Sequence, residues 1–244
     1  MKLSAVLITF NEAKNIKECL NDLLFCDEII VVDSGSTDKT AEIASQHGAK
    51  VFQHDFCDFA SQKNFAIDLT SGEWVLLIDA DERVDERLRT EIVSSVQDSE
   101  AQGFFLLRKN RIFNRWIKFG GNQEDLQLRL IRKERARFEG KVHERIFWKG
   151  PKITLKNPLL HYSTTTITEY IKKLILYTGI EVEILNSRSA MISDRGLKWR
   201  PVAVFFDRFI LKRGFLDGSE GFLFCFLSAY YEFIRQARSM ESRR

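Results

Sequence analysis

The chain has 244 residues, 44% hydrophobic and 29% charged, which suits one large α/β domain or a domain with a small appendage and excludes a disordered or fibrous chain. Its net charge of +3 is uneven, because residues 195–244 carry ten Lys/Arg against five Asp/Glu and the rest of the chain is slightly acidic. The basic excess sits in a phenylalanine-rich tail rather than a polar helix, which argues against nucleic-acid binding.

The first elements alternate. An apolar run at 5–8 predicts a strand, and Ile16, Cys19, Leu20, Leu23 and Leu24 recur at the spacing of an amphipathic helix. A second apolar run at 29–32 is followed by Asp33-Ser34-Gly35-Ser36-Thr37-Asp38, whose glycine and capping residues predict a turn into a helix that stops near Gly48. A third short strand is expected at 50–52, a helix at 58–69, and a strongly apolar, central strand at 74–78. Helical spacing returns at 84–96.

Strands and helices alternating at these intervals predict a Rossmann-like, mainly parallel sheet, which binds ligands at the carboxyl ends of its strands. Beyond Gly103 the pattern changes. Residues 104–107 and the alternating Leu126, Leu128 and Leu130 read as strands of a mixed extension, and 167–185, 202–212 and 222–238 as a C-terminal helical extension.

Cys19, Cys26, Cys57 and Cys225 form no C-x-x-C pair, and Cys19 lies on the apolar helix face, so reduced thiols and a cytoplasmic setting are expected. No apolar leader with a cleavage site follows Lys2. The longest uncharged apolar run, 221–231, falls short of the roughly 20 residues that span a bilayer, so any membrane contact is expected to be peripheral.

Three polar loops follow the first, second and fourth strands. Asp79-Ala80-Asp81 closes the central strand, and carboxylates two apart there can face one crevice; hard oxygen ligands suit Mg²⁺ or Mn²⁺ completed by substrate phosphates. The same triplet could serve only as a cap for the helix at 84–96. Asn11-Glu12 and Asp33-Ser34 put hydrogen-bonding groups where a nucleoside would lie, and Lys63 offers a cation for a diphosphate, although each also reads as an ordinary cap, turn or surface residue. Acidic loops converging at successive strand ends would repel without a cation or ligand, which favours a site.

Thr9-Phe10-Asn11-Glu12, the stretch from Val31 to Asp38, Lys63-Asn64 and Leu77-Ile78-Asp79-Ala80-Asp81-Glu82 resemble, in order and spacing, the motifs of the family-two inverting glycosyltransferases of GT-A fold. The resemblance implies a nucleotide-diphosphate sugar held by Phe10, Asn11, Glu12, Asp33, Ser34, Lys63 and Asp79. It places Glu12 and Asp33 near base and ribose, Asp79 near the ribose, and Asp81 on the metal. Gly120-Gly121, the stretch from Asp125 to Leu130, Val142-His143-Glu144 and Leu160-His161-Tyr162 are similar to the bacterial branch that adds β-glucose to the heptose of the lipopolysaccharide core, which implies UDP-glucose as donor.

An inverting transfer needs a carboxylate base opposite the leaving group. Glu124-Asp125 matches the acidic pair that relatives use, making Asp125 the first choice and Glu144 the rival, with His143 as a further metal ligand implied by the resemblance. His161 beside Tyr162 reads as packing. Arg111, Arg115 and Trp116 suit a phosphorylated sugar acceptor. The tail phenylalanines, interleaved with Arg and Lys, suit either an ordinary helical core or an interfacial helix on anionic lipid. Two other readings share the first half: a transferase acting on polyprenyl phosphate, and a non-catalytic receiver-like switch, which would not need the residues beyond about 120.

Overall fold

The computed structural model describes residues 2–97, 100–140, 145–146, 148–164, 166–187 and 194–241. The chain divides into two compact units, one of Met1–Arg108 with Leu126–His161 and one of Lys109–Asp125 with Tyr162–Arg244.

The first unit begins with the expected alternation: β1 (Leu3–Thr9), α1 (Ile16–Asp22), β2 (Glu28–Asp33), α2 (Thr40–Gln46), β3 (Lys50–Gln53), α3 (Phe59–Asp68) and β4 (Trp74–Leu77). These strands run parallel, with Thr9 opposite Asp33 at their carboxyl ends and Val6 opposite Leu77. β5 (Glu82–Arg83), α4 (Glu86–Ser95) and β6 (Gly103–Ile112) follow; β7 (Arg115–Ile117) belongs to the second unit, and β8 (Leu126–Arg132) returns to the first. The remaining strands are β9 (Phe138–Glu139), β10 (Arg145–Ile146), β11 (Ile153–Thr154) and β12 (Leu159–Thr164). The sheet order β3-β2-β1-β4-β8-β6, with β8 antiparallel to β4 and β6, makes it mixed but mainly parallel at its core.

β1 is nearly all apolar because both its faces are covered. Leu7 packs with Leu20, Trp74 and Leu88 on one side, and Val6 with Ile30, Ala66 and Val75 on the other. Truncating a fully buried side chain such as Leu7 to Ala should cost about 2–5 kcal/mol.

Two details differ from the sequence expectation. Leu24 is exposed, since α1 ends at Asp22 and only Leu23 of that pair turns inward. The helix expected at 84–96 starts at Glu86, because Asp85 caps it by accepting from the Leu88 N–H at 2.9 Å, while Glu82 and Arg83 are drawn into a strand.

In the second unit the end of β6 and β7 form a hairpin whose two turn residues, Phe113 and Asn114, take φ of 51° and 62°. Three α-helices follow among the described residues: α5 (Ile167–Ser187), α6 (Asp194–Phe206) and α7 (Gly218–Glu241). The sequence placed a helix at 202–212. Instead α6 runs through Pro201 to Phe206, and a π-helical turn at Asp207–Leu211 leads into a tight turn at Gly214–Asp217. α7 begins against that turn so closely that a Cβ on Gly221 would lie 2.1 Å from the Gly214 carbonyl oxygen. Its buried face, Phe224 and Cys225, packs on Ile112 and Ile117, and Arg238 donates to the Ile175 carbonyl of α5 at 2.6 Å. No helix among the described residues is long and apolar enough to cross a membrane.

Candidate active site

The carboxyl ends of β1, β2 and β4 are adjacent, so the loops that follow them form one edge of the sheet. The β1 and β2 loops are laced together. Asn11, at φ of 55°, donates its N–H to Ser36 Oγ at 2.8 Å, and its side-chain oxygen accepts from the Thr37 N–H at 2.8 Å. The Glu12 N–H donates to Thr40 Oγ1 and the Ala13 N–H to Asp38. Glu12 accepts from Asn15 Nδ2 at 2.7 Å, and Phe10 stands exposed beside this lacing.

Asp33 is completely buried and accepts from Thr9 Oγ1 at 3.0 Å and from the Ser36 N–H at 2.8 Å, so its carboxylate is the knot of the two loops. Ser34 Oγ accepts from Gln62 Nε2 at 2.9 Å. Gln62 also donates to the His54 carbonyl at 3.1 Å, and its side-chain oxygen lies 2.7 Å from His54 Nδ1. On α3, one position further, Lys63 reaches the Phe138 ring and lines a small crevice with Ile8, Asp79 and Arg129.

Asp79 follows β4 and closes a turn with Glu82: the Asp79 N–H donates to Glu82 Oε2 and the Glu82 N–H to the Asp79 carbonyl, each at 2.9 Å. Because β8 pairs antiparallel with β4, Arg129 comes level with this turn and donates to Asp79 Oδ2 and Glu82 Oε1, both at 2.6 Å. Arg108 stands 3.5 Å from Glu82. Burial pushes the Asp79 carboxyl up, but Arg129, then Lys63 and Arg108, outweigh it and hold the group well below the usual carboxylate range. Burial likewise dominates at enclosed Glu82 and pushes it up despite Arg129. Burial disfavours the Arg129 charge, and the two carboxylates more than offset that. Arg83 fixes the other side of the turn by donating to the Ala80 carbonyl at 2.9 Å and to Glu18 at 3.1 Å.

Asp81 lies against His161, Oδ2 to Nε2 at 3.3 Å, both side chains mostly buried. The register of β5 and β12, with His161 opposite Glu82, produces this approach. A carboxylate suits Mg²⁺ or Mn²⁺, and an imidazole nitrogen beside it favours the softer transition ion Mn²⁺ over Mg²⁺, with the other positions falling to phosphate oxygens and water. Among the described residues no three His, Cys, Asp or Glu side chains gather as a metal site. A cation held by these two donors would need oxygens from its ligand and from water to complete its shell. His161, read from the sequence as packing, is mostly buried and lies against Asp81, whereas His143 and Glu144 lie outside the described residues.

In the second unit Asp125 ends a short 3₁₀ turn and accepts from Asn110 Nδ2 at 2.9 Å, which also donates to Asn122 Oδ1. Glu124 is exposed. Trp116 and Tyr162 meet edge to face at 5.4 Å between ring centroids, with Lys109 over the Trp116 ring and Arg111 over the Tyr162 ring. Arg115 pairs with Glu220 at 3.3 Å. The aromatic and basic groups expected for an acceptor thus occur together on one hairpin.

Fold and site define an α/β protein of GT-A class with its acidic site at the carboxyl edge of a mainly parallel sheet. The sequence model described as "Glycosyl transferase family 2" matches residues 4–161, and the chain belongs to that family. An uncharacterized glycosyltransferase of Rickettsia felis is 31% identical over 259 residues, covering 99% of this chain and 90% of its own. The lipopolysaccharide core biosynthesis glycosyltransferase LpsC of Rhizobium meliloti is 29% identical, covering 98% and 92%. Among solved structures, glucosyl-3-phosphoglycerate synthase from Mycobacterium tuberculosis with Mn²⁺ and UDP-glucose aligns at 27% identity over 45% of this chain and 44% of that one, with a TM-score of 0.38. The receiver-like reading falls away with family membership.

Proposed function

We propose that the protein is an inverting hexosyltransferase that moves glucose from UDP-glucose to a heptose of a lipopolysaccharide core. The observation that carries the transferase chemistry is the convergence of Asp79, held ionised by Arg129, and the Asp81–His161 pair at one strand end. The full-length similarity to a relative named for lipopolysaccharide core biosynthesis supports the acceptor class, and a lipid-anchored acceptor would bring the enzyme to the membrane surface.

In this reading Phe10, Asn11, Glu12, Asp33 and Ser34 form the base and ribose side of the donor site, Asp33 by shaping the loops. Asp79 accepts from ribose hydroxyls, and Lys63 faces the diphosphate. Asp81 and His161 would hold a divalent cation that, when bound, supplies Lewis-acid stabilisation of the charge growing on the leaving diphosphate. A carboxylate, Asp125 or Glu144, takes the acceptor hydroxyl's proton as the new bond to the anomeric carbon forms opposite the breaking bond to phosphate. UDP departs with the bonding electron pair.

The test is incubation with truncated core oligosaccharides and isotopically labelled UDP-glucose, with the product linkage read by NMR. A β-linked glucosyl heptose is expected from the α-linked donor. An α-linked product would exclude the single displacement, and transfer only to polyprenyl phosphate would replace the acceptor assignment.

A further inference from the structure

The helical unit carries an apolar surface that its own core does not cover. Phe222, Phe226, Tyr230 and Phe233 recur every three or four residues along one stripe of α7, opposite the face that packs on Ile112 and Ile117, and all four are exposed. On α6, Phe206, at 56% exposure, meets Phe205 edge to face at 5.8 Å, and Trp199, seven residues earlier on the same helix, is 68% exposed. Between the helices Leu211, at 76%, stands with Phe215 and Leu216 on the turn that the π-helical segment and Gly214 build. The rings form one connected layer: Phe222 meets Phe205 and Phe209 at 5.7 Å and stacks on Phe226 at 6.3 Å. A soluble monomer seldom leaves so contiguous an apolar surface open to water.

The charges beside it indicate the partner. Residues 197–217 hold five Lys/Arg against Asp207 and Asp217. Asp217 is turned inward, accepting from the N–H groups of Lys118 and Phe119. Lys198, Arg200 and Arg213 are exposed, Arg200 pairing with Glu232 of α7 at 3.8 Å, and the backbone of Arg213 is held at φ of 57° at the apex of the turn. A second copy docking through the same face would set this positive rim against itself. A bilayer rich in anionic headgroups complements it, receiving aromatic and leucine side chains at the acyl boundary and Lys/Arg at the phosphates.

We infer that the α6–α7 face, led by the Leu211–Leu216 turn, is a docking surface for anionic membrane, bound peripherally and reversibly. This goes beyond the transfer reaction and stands whether or not its acceptor is a lipopolysaccharide core.

The experiment is flotation of the full chain with vesicles of phosphatidylcholine alone or with phosphatidylglycerol. Flotation is expected with the anionic vesicles only, and it should be lost in roughly 1 M salt, where screening shortens to about 3 Å. The triple variant Leu211→Ser, Phe215→Ser, Leu216→Ser should lower the vesicle partition coefficient by about tenfold or more, as should Lys198→Gln with Arg213→Asn. Donor hydrolysis and the thermal midpoint should stay near wild type in both variants, which separates lost docking from lost folding and from failure of the transferase reading. Light scattering without lipid covers the other occupant. Equal flotation with neutral vesicles, wild-type flotation by the folded triple variant, or a lipid-independent dimer that this variant dissolves would each overturn the inference.

Discussion

Asp81 and His161, far apart in the chain, stand 3.3 Å from each other because two short stretches of strand pair with His161 opposite Glu82. If the two share a cation, removing either costs a ligand and not merely a neighbour. His161→Ala should raise the Mn²⁺ concentration for half-maximal donor hydrolysis by more than the roughly 10–100-fold typical of outer-shell partners. Asp81→Ala should abolish the metal response. A metal titration on folded His161→Ala with an unchanged midpoint would remove His161 from the site.

Arg129 is placed between a partly exposed carboxylate, Asp79, and an enclosed one, Glu82. Removing the guanidinium leaves the Glu82 charge without its closest partner in a low-dielectric setting. Arg129→Met should therefore destabilise the protein by about 3–5 kcal/mol. Adding Glu82→Gln should recover more than half of that loss, because the stranded charge goes with it. Urea unfolding of the single and double variants measures both, and no recovery in the double variant would contradict a charge-based explanation.

For the base, the hydrogen bond from Asn110 to Asp125 lets the amide be swapped in without loss of structure, since an Asn side-chain oxygen can still accept it. Asp125→Asn should keep donor binding and the thermal midpoint while turnover falls about a hundredfold or more. Single-turnover kinetics with Asp125→Asn and Glu144→Gln decide between the two carboxylates. A silent Asp125→Asn with an inactive Glu144→Gln would transfer the role to Glu144.

Glu28 fastens the start of β2 to the neighbouring chain, accepting from Ser4 Oγ at 2.6 Å, from Lys50 at 3.1 Å, and from the N–H and hydroxyl of Ser71. Burial raises its pKa, but these donors lower it further, to about 2. An unfolded Glu titrates near about 4.3, so the unfolded chain takes up this proton first as pH falls. The stabilisation is present in full above about 4.3 and is lost as pH falls towards about 2. Glu28→Gln should cost on the order of 2 kcal/mol at neutral pH, and the gap to wild type should narrow across that acid window. Denaturation at several pH values checks it, and a constant gap would contradict the linkage.

Strands β1, β2 and β4 were legible because burial on both faces leaves a nearly unbroken apolar run, and Asp79 and Asp81 were legible because they follow the end of such a run. Arg129 and His161 were not. Their positions follow from antiparallel pairing between distant segments, and no local period announces register. Gln62 was passed over for Lys63 because charge attracts attention in a sequence, whereas the inward face of α3 falls on its uncharged neighbour, buried and bound to Ser34 and His54. The helix expected at 202–212 was misplaced for a different reason: α6 starts at Asp194 and continues through Pro201, which no local apolar period announces.

The lacing of the β1 and β2 loops through Asn11, Asp33, Ser36 and Thr37 has a thermodynamic consequence. These bonds are satisfied between the loops themselves, so the backbone of this edge is preorganised, and a nucleoside bound as proposed above would not bear the entropy of ordering it. In that reading, replacing Asn11 or Ser36 would lower affinity for every nucleotide sugar by a similar factor, because what is lost is the ordering of the loops and not a contact with the sugar.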